Sequence, residues 1–395
     1  VAVADRLRRA AAEPKRAALT AGILVLLFAV TNGVLVTKSG LADVTTETDA
    51  PFHRFNLAVL YERQGDLDRA IGEYRAAAAT GVAACIAVIR GIGGNRLQHV
   101  GNFYVDITRA SVRLFLPLAF AVGILLLWQG SPMTFEPVAQ VTTVEGRAQT
   151  IARGVVAPMV AIKQLGTNGG GYFGPNSTHP YENPTPLSDF VEQWCILVIP
   201  MAMVWTLGHM VRRRGLAIVI FATMLALYVP MVVFGVAIDA RGNPAISAMG
   251  IDQSTGSMEG KEVRFGSGLS ALWSVSTTVT SNGSVNAMHD SLTPLGGLMP
   301  LIGMWLNNIF GGVGVGFINM LIFVIVAVFV AGMMVGPTPG VFGKKGEAEE
   351  RKLAGLALLW HPLPTLVGPA LVYAAGSRRR RAGMPCAPRP GSSLH

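Results

Sequence analysis

The sequence predicts an all-α, polytopic membrane protein with repeated helix–pore loop–helix units. Three observations carry that prediction. Charged residues make up only 14% of the 395 residues, hydrophobic residues 51%, and mean hydropathy is +0.46, whereas soluble domains carry about 25% charge. The apolar residues gather in runs near the roughly 20 residues that cross about 30 Å of hydrocarbon. Between the runs lie two long stretches rich in Gly, Asn, Ser and Thr, each with a Thr/Ser-Asn-Gly tip.

The first apolar run, 17–37, follows a basic segment. It is too long for a signal h-region and lacks a clear small-residue cleavage site, so it reads as a retained span. Further spans are expected at 111–129, 194–211, 215–236, 313–336 and 353–375, with a shorter apolar run at 76–91. The polar stretches are 130–190 and 237–298. A net charge of +9 and a pI near 9.8 could suggest a nucleic-acid partner. The basic residues instead sit beside the apolar spans, as at Arg212, Arg213 and Arg214 or Lys344 and Lys345, with no basic face carrying interleaved aromatics. That is the pattern of topogenic charge, and no nucleic acid is expected.

By the same rule Arg90, Arg96, Arg109 and Arg113 hold the 92–110 linker inside, together with Arg212–Arg214, Lys344, Lys345, Arg351 and Lys352. Both polar stretches then face outside. The repeated unit is helix, polar loop, helix, over 111–211 and again over 215–336. Arg378–Arg381 fall outside, against the tendency, and the tail that follows has no apolar periodicity. Cys85, Cys195 and Cys386 are far apart, which argues against a disulfide framework or a structural metal.

Residues 56–77, NLAVLYERQGDLDRAIGEYRAA, place Leu57, Ala58, Tyr61, Ala70, Tyr74 and Ala77 at the small and aromatic positions of a tetratricopeptide hairpin turning at Gly65. A single such repeat cannot bury its own face. An amphipathic hairpin is the simpler reading, and a partner-binding module the sharper one.

The stretch LGTNGGGYF at Leu165–Phe173 is entered by the apolar segment Ala157–Leu165. Non-helical backbone is tolerated at membrane depth where it is buried in protein or lines a water-filled cavity. Glycine admits φ > 0, so successive carbonyls can turn toward one axis, and a ring of carbonyls can replace the hydration shell of K+. The second unit repeats the arrangement: WSVSTTVTSNGS runs from Trp273 into Thr280, Ser281, Asn282, Gly283 and Ser284.

The other conspicuous residues have structural readings beside functional ones. Lys163 either tunes ion affinity or pairs with Glu182 or Asp189. His289 and Asp290 suggest a dyad, but with no nucleophile motif nearby a hydrogen-bonded pair bracing the loop behind Gly283 is the better expectation. His179 and Glu182 flank Pro180 and would stiffen the return of the first glycine loop. Glu259, Lys261, Glu262 and Arg264 read as a solvated surface run, or as a cation-gathering funnel. Gly311, Gly312, Gly314 and Gly316 allow close packing or a broken helix. GVFGKKG at 340–346 misses the phosphate-loop spacing.

GTNGGGYFGPNSTHPYENPTPL at Gly166–Leu187, NAMHDSLTPLGGLMPL at Asn286–Leu301 and FGGVGVGFINMLIFVIVAVFVAGMMVG at Phe310–Gly336 resemble the A subunit of the Kdp potassium-transporting ATPase. GNFYVDITRA, VTTVEGRAQTIARG and SMEGKEVRFG add to the resemblance, which covers roughly residues 78 to 365. It implies the superfamily of K+ transporters, with four helix–pore–helix repeats around one filter. It also implies a P-type ATPase B subunit and small C and F-type subunits as partners, in the lipid of a bacterial inner membrane. Thr167, Asn168, Gly169, Gly170 and Gly171 match the family's second filter segment. Ser281, Asn282, Gly283 and Ser284 match the third. K+ would be the transported ion, with ATP used only on the partner, because the Asp-Lys-Thr-Gly phosphorylation motif is absent here.

The ends depart from the family. Where a Thr-Asn-Thr-Asn-Trp-Gln segment is expected stands the 56–77 hairpin, and where an Asn-Asn-Gly-rich fourth segment is expected stands the arginine-rich tail. The expected division is therefore 1–80 as an atypical region with one span and the hairpin, 81–376 as the channel-like core, and 377–395 as a basic disordered tail. The alternative function is a truncated or fused, non-transporting membrane fragment that binds a partner through 56–77. An ATP-independent K+ channel of the same superfamily is a third reading.

Overall fold

The structure, a computed structural model, describes residues 67–94, 99–335, 340–341, 344–345 and 354–356. The expected span at 17–37, residues 56–66 of the hairpin, nearly all of 353–375 and the tail from Arg378 lie outside the described residues.

Helix α1 (Leu67–Gly93) is continuous. The second arm of the expected hairpin and the apolar run at 76–91 are thus one helix, because the Leu, Arg, Glu and Ala that join them are strong helix formers. Beside the larger Val82 and Ile89, many of its buried side chains are small, among them Ala78, Ala79, Ala83 and Cys85. These let neighbouring backbone approach closely.

The next apolar segment begins earlier than its hydropathy suggests. Asn102 caps α2 (Phe103–Arg109), accepting from the amides of Tyr104 at 3.0 Å and Val105 at 3.3 Å. A π-helical turn over Ala110–Phe115 leads into α3 (Leu116–Gln129), which Gly130 ends in the left-handed region at φ 111°. Asp106 in this segment takes the guanidinium of Arg90, so that topogenic arginine is also paired within the fold.

The chain is mostly helical, and the first polar stretch supplies the main exception to the all-α expectation. Strands β1 (Val138–Thr142) and β2 (Ala148–Ala152) form an antiparallel hairpin, with Val138 opposite Ala152 and Thr142 opposite Ala148. It carries the β-branched Val138, Val141, Thr142, Thr150 and Ile151, and Gly146 turns its tip at φ 79°. A second, two-residue pairing joins β3 (Gly340–Val341) and β4 (Lys344–Lys345).

Helix α4 (Val156–Leu165) follows, buried at nine of its ten positions. At 1.5 Å per residue it is roughly 15 Å long, half of a hydrocarbon core. After the loop, α5 (Pro186–Met210) begins eight residues before the predicted 194. Thr185 and Ser188 form a capping box there and Pro186 opens the first turn, so the polar start is held by capping. Helix α5 is the hub of the fold, packing against α1, α3 and α4 and against the later helices α6, α8 and α10.

Helix α6 (Arg214–Ala240) matches the predicted 215–236, and a short α7 (Pro244–Ser247) follows. Helix α8 (Gly266–Val279) is rich in Ser and Thr yet buried. Several of its hydroxyls are satisfied within the helix: Ser270, Ser276 and Thr278 each donate to the carbonyl four residues back at 2.8 Å. Beyond the second loop the predicted span at 313–336 is a helix, but an unpredicted helix precedes it. Helix α9 (Pro294–Leu306) ends at Asn307 in the left-handed region, a non-helical segment covers 307–314, and α10 (Val315–Val335) continues. The glycines there mark a break between helices, the second of the two sequence readings.

The segments Phe103–Gln129, Pro186–Met210 and Arg214–Ser247 are long and apolar enough to cross a membrane. Phe120, Ile124 and Trp128 on one of them, and Val219 and Val233 on another, are exposed apolar side chains suited to lipid. Inside, Val160, Ile199, Leu207 and Phe317 belong to one core cluster with α1.

Candidate functional site

Helices α4 and α8 end inside the protein, and each gives way to one of the sequence-predicted loops. Their C-terminal carbonyls are taken up by the first loop amides. Thr167 N donates to Gln164 O at 3.1 Å and Asn168 N to Lys163 O at 3.0 Å. On the other side Ser281 N donates to Thr278 O at 3.3 Å and Asn282 N to Thr277 O at 2.9 Å.

Both loops use the left-handed backbone region: Thr167 at φ 49°, Gly169 at 71° and Gly170 at 74°, with Ser281 at 55° and Gly283 at 82°. Thr167 and Ser281 are residue types for which this conformation is uncommon. Among the described residues, no hydrogen bond reaches the carbonyls of Thr167, Gly169, Gly170, Ser281 or Gly283. Unpaired backbone oxygens concentrated in two facing loops are a departure from the usual full pairing.

The loops meet directly. A β-carbon on Gly169 would lie 2.0 Å from the carbonyl oxygen of Asn282. Thr167 Oγ1 accepts from Val313 N at 2.9 Å, and Gly312 N donates to Thr280 O at 2.6 Å, so the 307–314 break closes against both loops. Gly81 of α1 supports the break from behind, where a β-carbon would stand 2.2 Å from Val313 O.

The nine predicted site residues are therefore brought together in two groups, with differing roles for their side chains. Asn282 Oδ1 accepts from Ser284 N at 2.8 Å and from Thr277 Oγ1 at 3.2 Å, fixing the turn. The Ser284 carbonyl accepts from the Trp273 indole at 2.9 Å. Ser281 is exposed and its hydroxyl bonds to Asn307. Gly171 packs against Asn176 and Glu182, at 2.7 and 2.8 Å from an added β-carbon.

Behind the first loop lies a buried polar cluster. Of the alternatives for Lys163, the structure contains the ion pair: its ammonium contacts Glu182, Ser177 Oγ at 3.0 Å and Asn176 Oδ1 at 3.1 Å, with both charged side chains fully buried. Glu182 Oε1 also accepts from Phe173 N at 2.7 Å, the stiffening contact expected of it. His179 stacks on Phe173 with ring centroids 3.8 Å apart and accepts from Tyr181 N at 3.1 Å. Burial pushes the His179 imidazole below its usual pKa; Glu182 acts in the opposite sense and Arg264 in the same one. Asp189 binds Asn183, Gln193 and Asn286 instead of a lysine.

Two expectations are corrected. His289 and Asp290 form no hydrogen-bonded pair among the described residues: Asp290 is exposed, while His289 Nε2 is buried without a partner and burial lowers its pKa. The charged run at 259–264 is not simply solvated. Lys261 is buried, 3.2 Å from Asp239, and Arg264 crosses to the first loop to donate to the carbonyls of Asn183 and Thr178.

Sequence reasoning missed Gln164 and Glu192. Gln164 Nε2 donates to Glu192 Oε2 at 2.7 Å and to Ser177 Oγ at 3.2 Å. Its Oε1 accepts from Ser284 Oγ at 3.1 Å and Asn282 Nδ2 at 3.3 Å. A polar residue closing a buried apolar helix, and a glutamate opening an apolar span, were the available signals.

The sequence pattern of the family described as "Potassium-transporting ATPase A subunit" matches residues 73–387. A Bacteroides fragilis protein described as "Potassium-transporting ATPase potassium-binding subunit" is 52% identical over 294 residues, covering 74% of this chain and 52% of the relative. Proteins of the same description from Rhodospirillum centenum and Anaeromyxobacter dehalogenans are 50% and 49% identical, again over 74% of this chain and 52% and 53% of their own lengths. The chain spans about half the length of these curated relatives. With a match over most of its length and half its residues shared where it aligns, the chain belongs to the potassium-transporting ATPase A subunit family.

Proposed function

We propose that the chain binds K+ through the backbone carbonyls of Thr167–Gly171 and Ser281–Ser284 and translocates it. It would do so as the ion-binding subunit of an ATP-driven importer in a bacterial inner membrane. In this reading the two segments are the tips of repeated helix–pore loop–helix units. Hydrolysis of ATP falls to a P-type ATPase B subunit, assembled with small C and F-type subunits.

The observation that carries the reading is the pair of touching loops in which the carbonyls of Thr167, Gly169, Gly170, Ser281 and Gly283 accept no hydrogen bond among the described residues. Such oxygens can take the place of the water around a hydrated cation. Helices α4 and α8 both end at these loops, so their negative dipole ends face the same place and favour a cation there. The ammonium of Lys163, close behind, is countered by Glu182, which limits its repulsion of the ion. The partner-binding alternative through 56–77 is not favoured, since the family match begins at residue 73 and takes in both loops.

The test is K+ uptake by a transport-deficient bacterium expressing the chain with the ATP-hydrolysing partner. Gly170→Asp and Gly283→Asp place a carboxylate where only carbonyls should face the ion. Lower K+ affinity or Na+ leakage in these variants supports the assignment. Unchanged K+ uptake kinetics in both removes it.

A further inference from the structure

We infer that Gln164 is a specificity-determining positioning residue: its amide clasps the two ion-binding loops at one spacing, with Glu192 setting its orientation. The inference rests on the K+-binding reading of those loops.

The backbone amide of Ser284 is a donor whose identity is not in question. It donates to Asn282 Oδ1 at 2.8 Å, so the Asn282 amide must turn its Nδ2 the other way. That Nδ2 meets Gln164 at 3.3 Å, which requires the Gln164 atom facing it to be the oxygen. The same oxygen receives Ser284 Oγ at 3.1 Å. Gln164 Nε2 must then point to acceptors, and it finds Glu192 Oε2 at 2.7 Å and Ser177 Oγ at 3.2 Å. Each group in the chain thus fixes the next.

Several features make this a device for spacing rather than general packing. Gln164 is fully buried, and it lies three residues before Thr167 on the helix that delivers the first loop. Both residues that it grips across the interface belong to the second loop. It therefore acts beside Gly169, whose missing side chain allows the loops to touch. Carbonyl cages distinguish ions by the number and placement of their oxygens. A side chain that fixes the distance between two such loops acts on that placement without touching the ion. Glu192 contributes through one oxygen only, since its Oε1 has no hydrogen-bond partner among the described residues. An acceptor at that place, not a second negative charge, is what the clasp requires.

The experiment compares K+ and Na+ by their protection of the purified chain against thermal unfolding, and by uptake with the ATP-hydrolysing partner. The variants are Gln164→Leu, Ser284→Ala, Glu192→Gln and Glu192→Leu. Preference for K+ over Na+ should fall about tenfold in Gln164→Leu, the scale set by losing a buried hydrogen-bonded amide. Ser284→Ala should fall by less, and the double variant by less than the sum of the two, because the residues act as a unit. Glu192→Gln should keep the preference and Glu192→Leu should lose it. If Gln164→Leu does not fold, Ser284→Ala with the Glu192 pair decides the matter. Wild-type preference in both Gln164→Leu and Ser284→Ala overturns the inference while leaving the loops as the ion site. Equal loss in Glu192→Gln and Glu192→Leu overturns the orienting role. Equal protection by K+ and Na+ in the unmodified chain, with Gly170→Asp and Gly283→Asp uptake unchanged, overturns the ion-site reading itself and the inference with it.

Discussion

Gly169 lies against the main chain of Asn282, so closely that a methyl group on Gly169 would stand 2.0 Å from the Asn282 carbonyl oxygen. The contact joins two loops more than a hundred residues apart in sequence. It also separates two glycines that look equivalent in the sequence. Gly283 has open space around its α-carbon, although its φ of 82° is as strained for other residues as the 71° of Gly169.

Alanine substitution should resolve that difference. Gly283→Ala carries only the backbone cost of the left-handed region, about 1 kcal/mol. Gly169→Ala adds a clash with main chain that cannot rotate away, and overpacking of this kind costs about 1–3 kcal/mol more. Thermal unfolding in detergent should place Gly169→Ala clearly below Gly283→Ala. Equal melting temperatures would mean that the loops do not touch in solution.

The Lys163–Glu182 pair makes a separable prediction. Removing one partner of a fully buried ion pair leaves an uncompensated charge and costs about 3–5 kcal/mol. Lys163→Met should therefore be severely destabilised. Adding Glu182→Gln should recover most of the loss, because glutamine still offers an oxygen to the Phe173 amide. A double variant no more stable than Lys163→Met contradicts the pairing.

Acidification should loosen the returning loops. His179 and His289 both titrate below the usual 6.5 in the folded chain, chiefly because burial disfavours the charged ring. Below pH 6.5 the unfolded chain binds more protons than the folded one, so stability falls as pH drops toward the depressed values. The contribution is complete above about pH 6.5. Melting temperatures measured from pH 7.5 to 5 should decline, and less steeply in a His179→Asn, His289→Asn double variant. A wild-type slope in that variant would assign the pH response to other groups.

Arg264 reaches from the second polar stretch to the carbonyls of Asn183 and Thr178 in the first. Arg264→Met keeps much of the apolar stem while removing both donors. Limited proteolysis should then cut faster near 178–183, with the long apolar helices intact. Unaltered cleavage rates would show that the arginine does not hold that loop.

Much of this architecture was legible in the chain because apolar run length and helix-breaking residues act locally. The runs at 111–129, 215–236 and 313–336 all became helices. Their starts were less legible where a cap outweighed hydropathy, as at Asn102 and Thr185. The β1–β2 hairpin and the division into α9 and α10 were hidden for a related reason. Short polar and apolar segments have no hydropathy signal strong enough to fix their state without neighbours.

The same division holds at the site. Sequence alone determined that Thr167–Gly171 and Ser281–Ser284 would be permissive, oxygen-rich loops, since Gly, Thr and Asn impose that chemistry wherever they stand. Only the tertiary structure decided that the loops touch at Gly169 and that Lys163 is neutralised by Glu182. It likewise revealed that Gln164 and Glu192 support the assembly. Those are pairings across large sequence separations, and a side chain's partner is chosen by the packing of α4, α5 and α8 against one another, which no local pattern encodes.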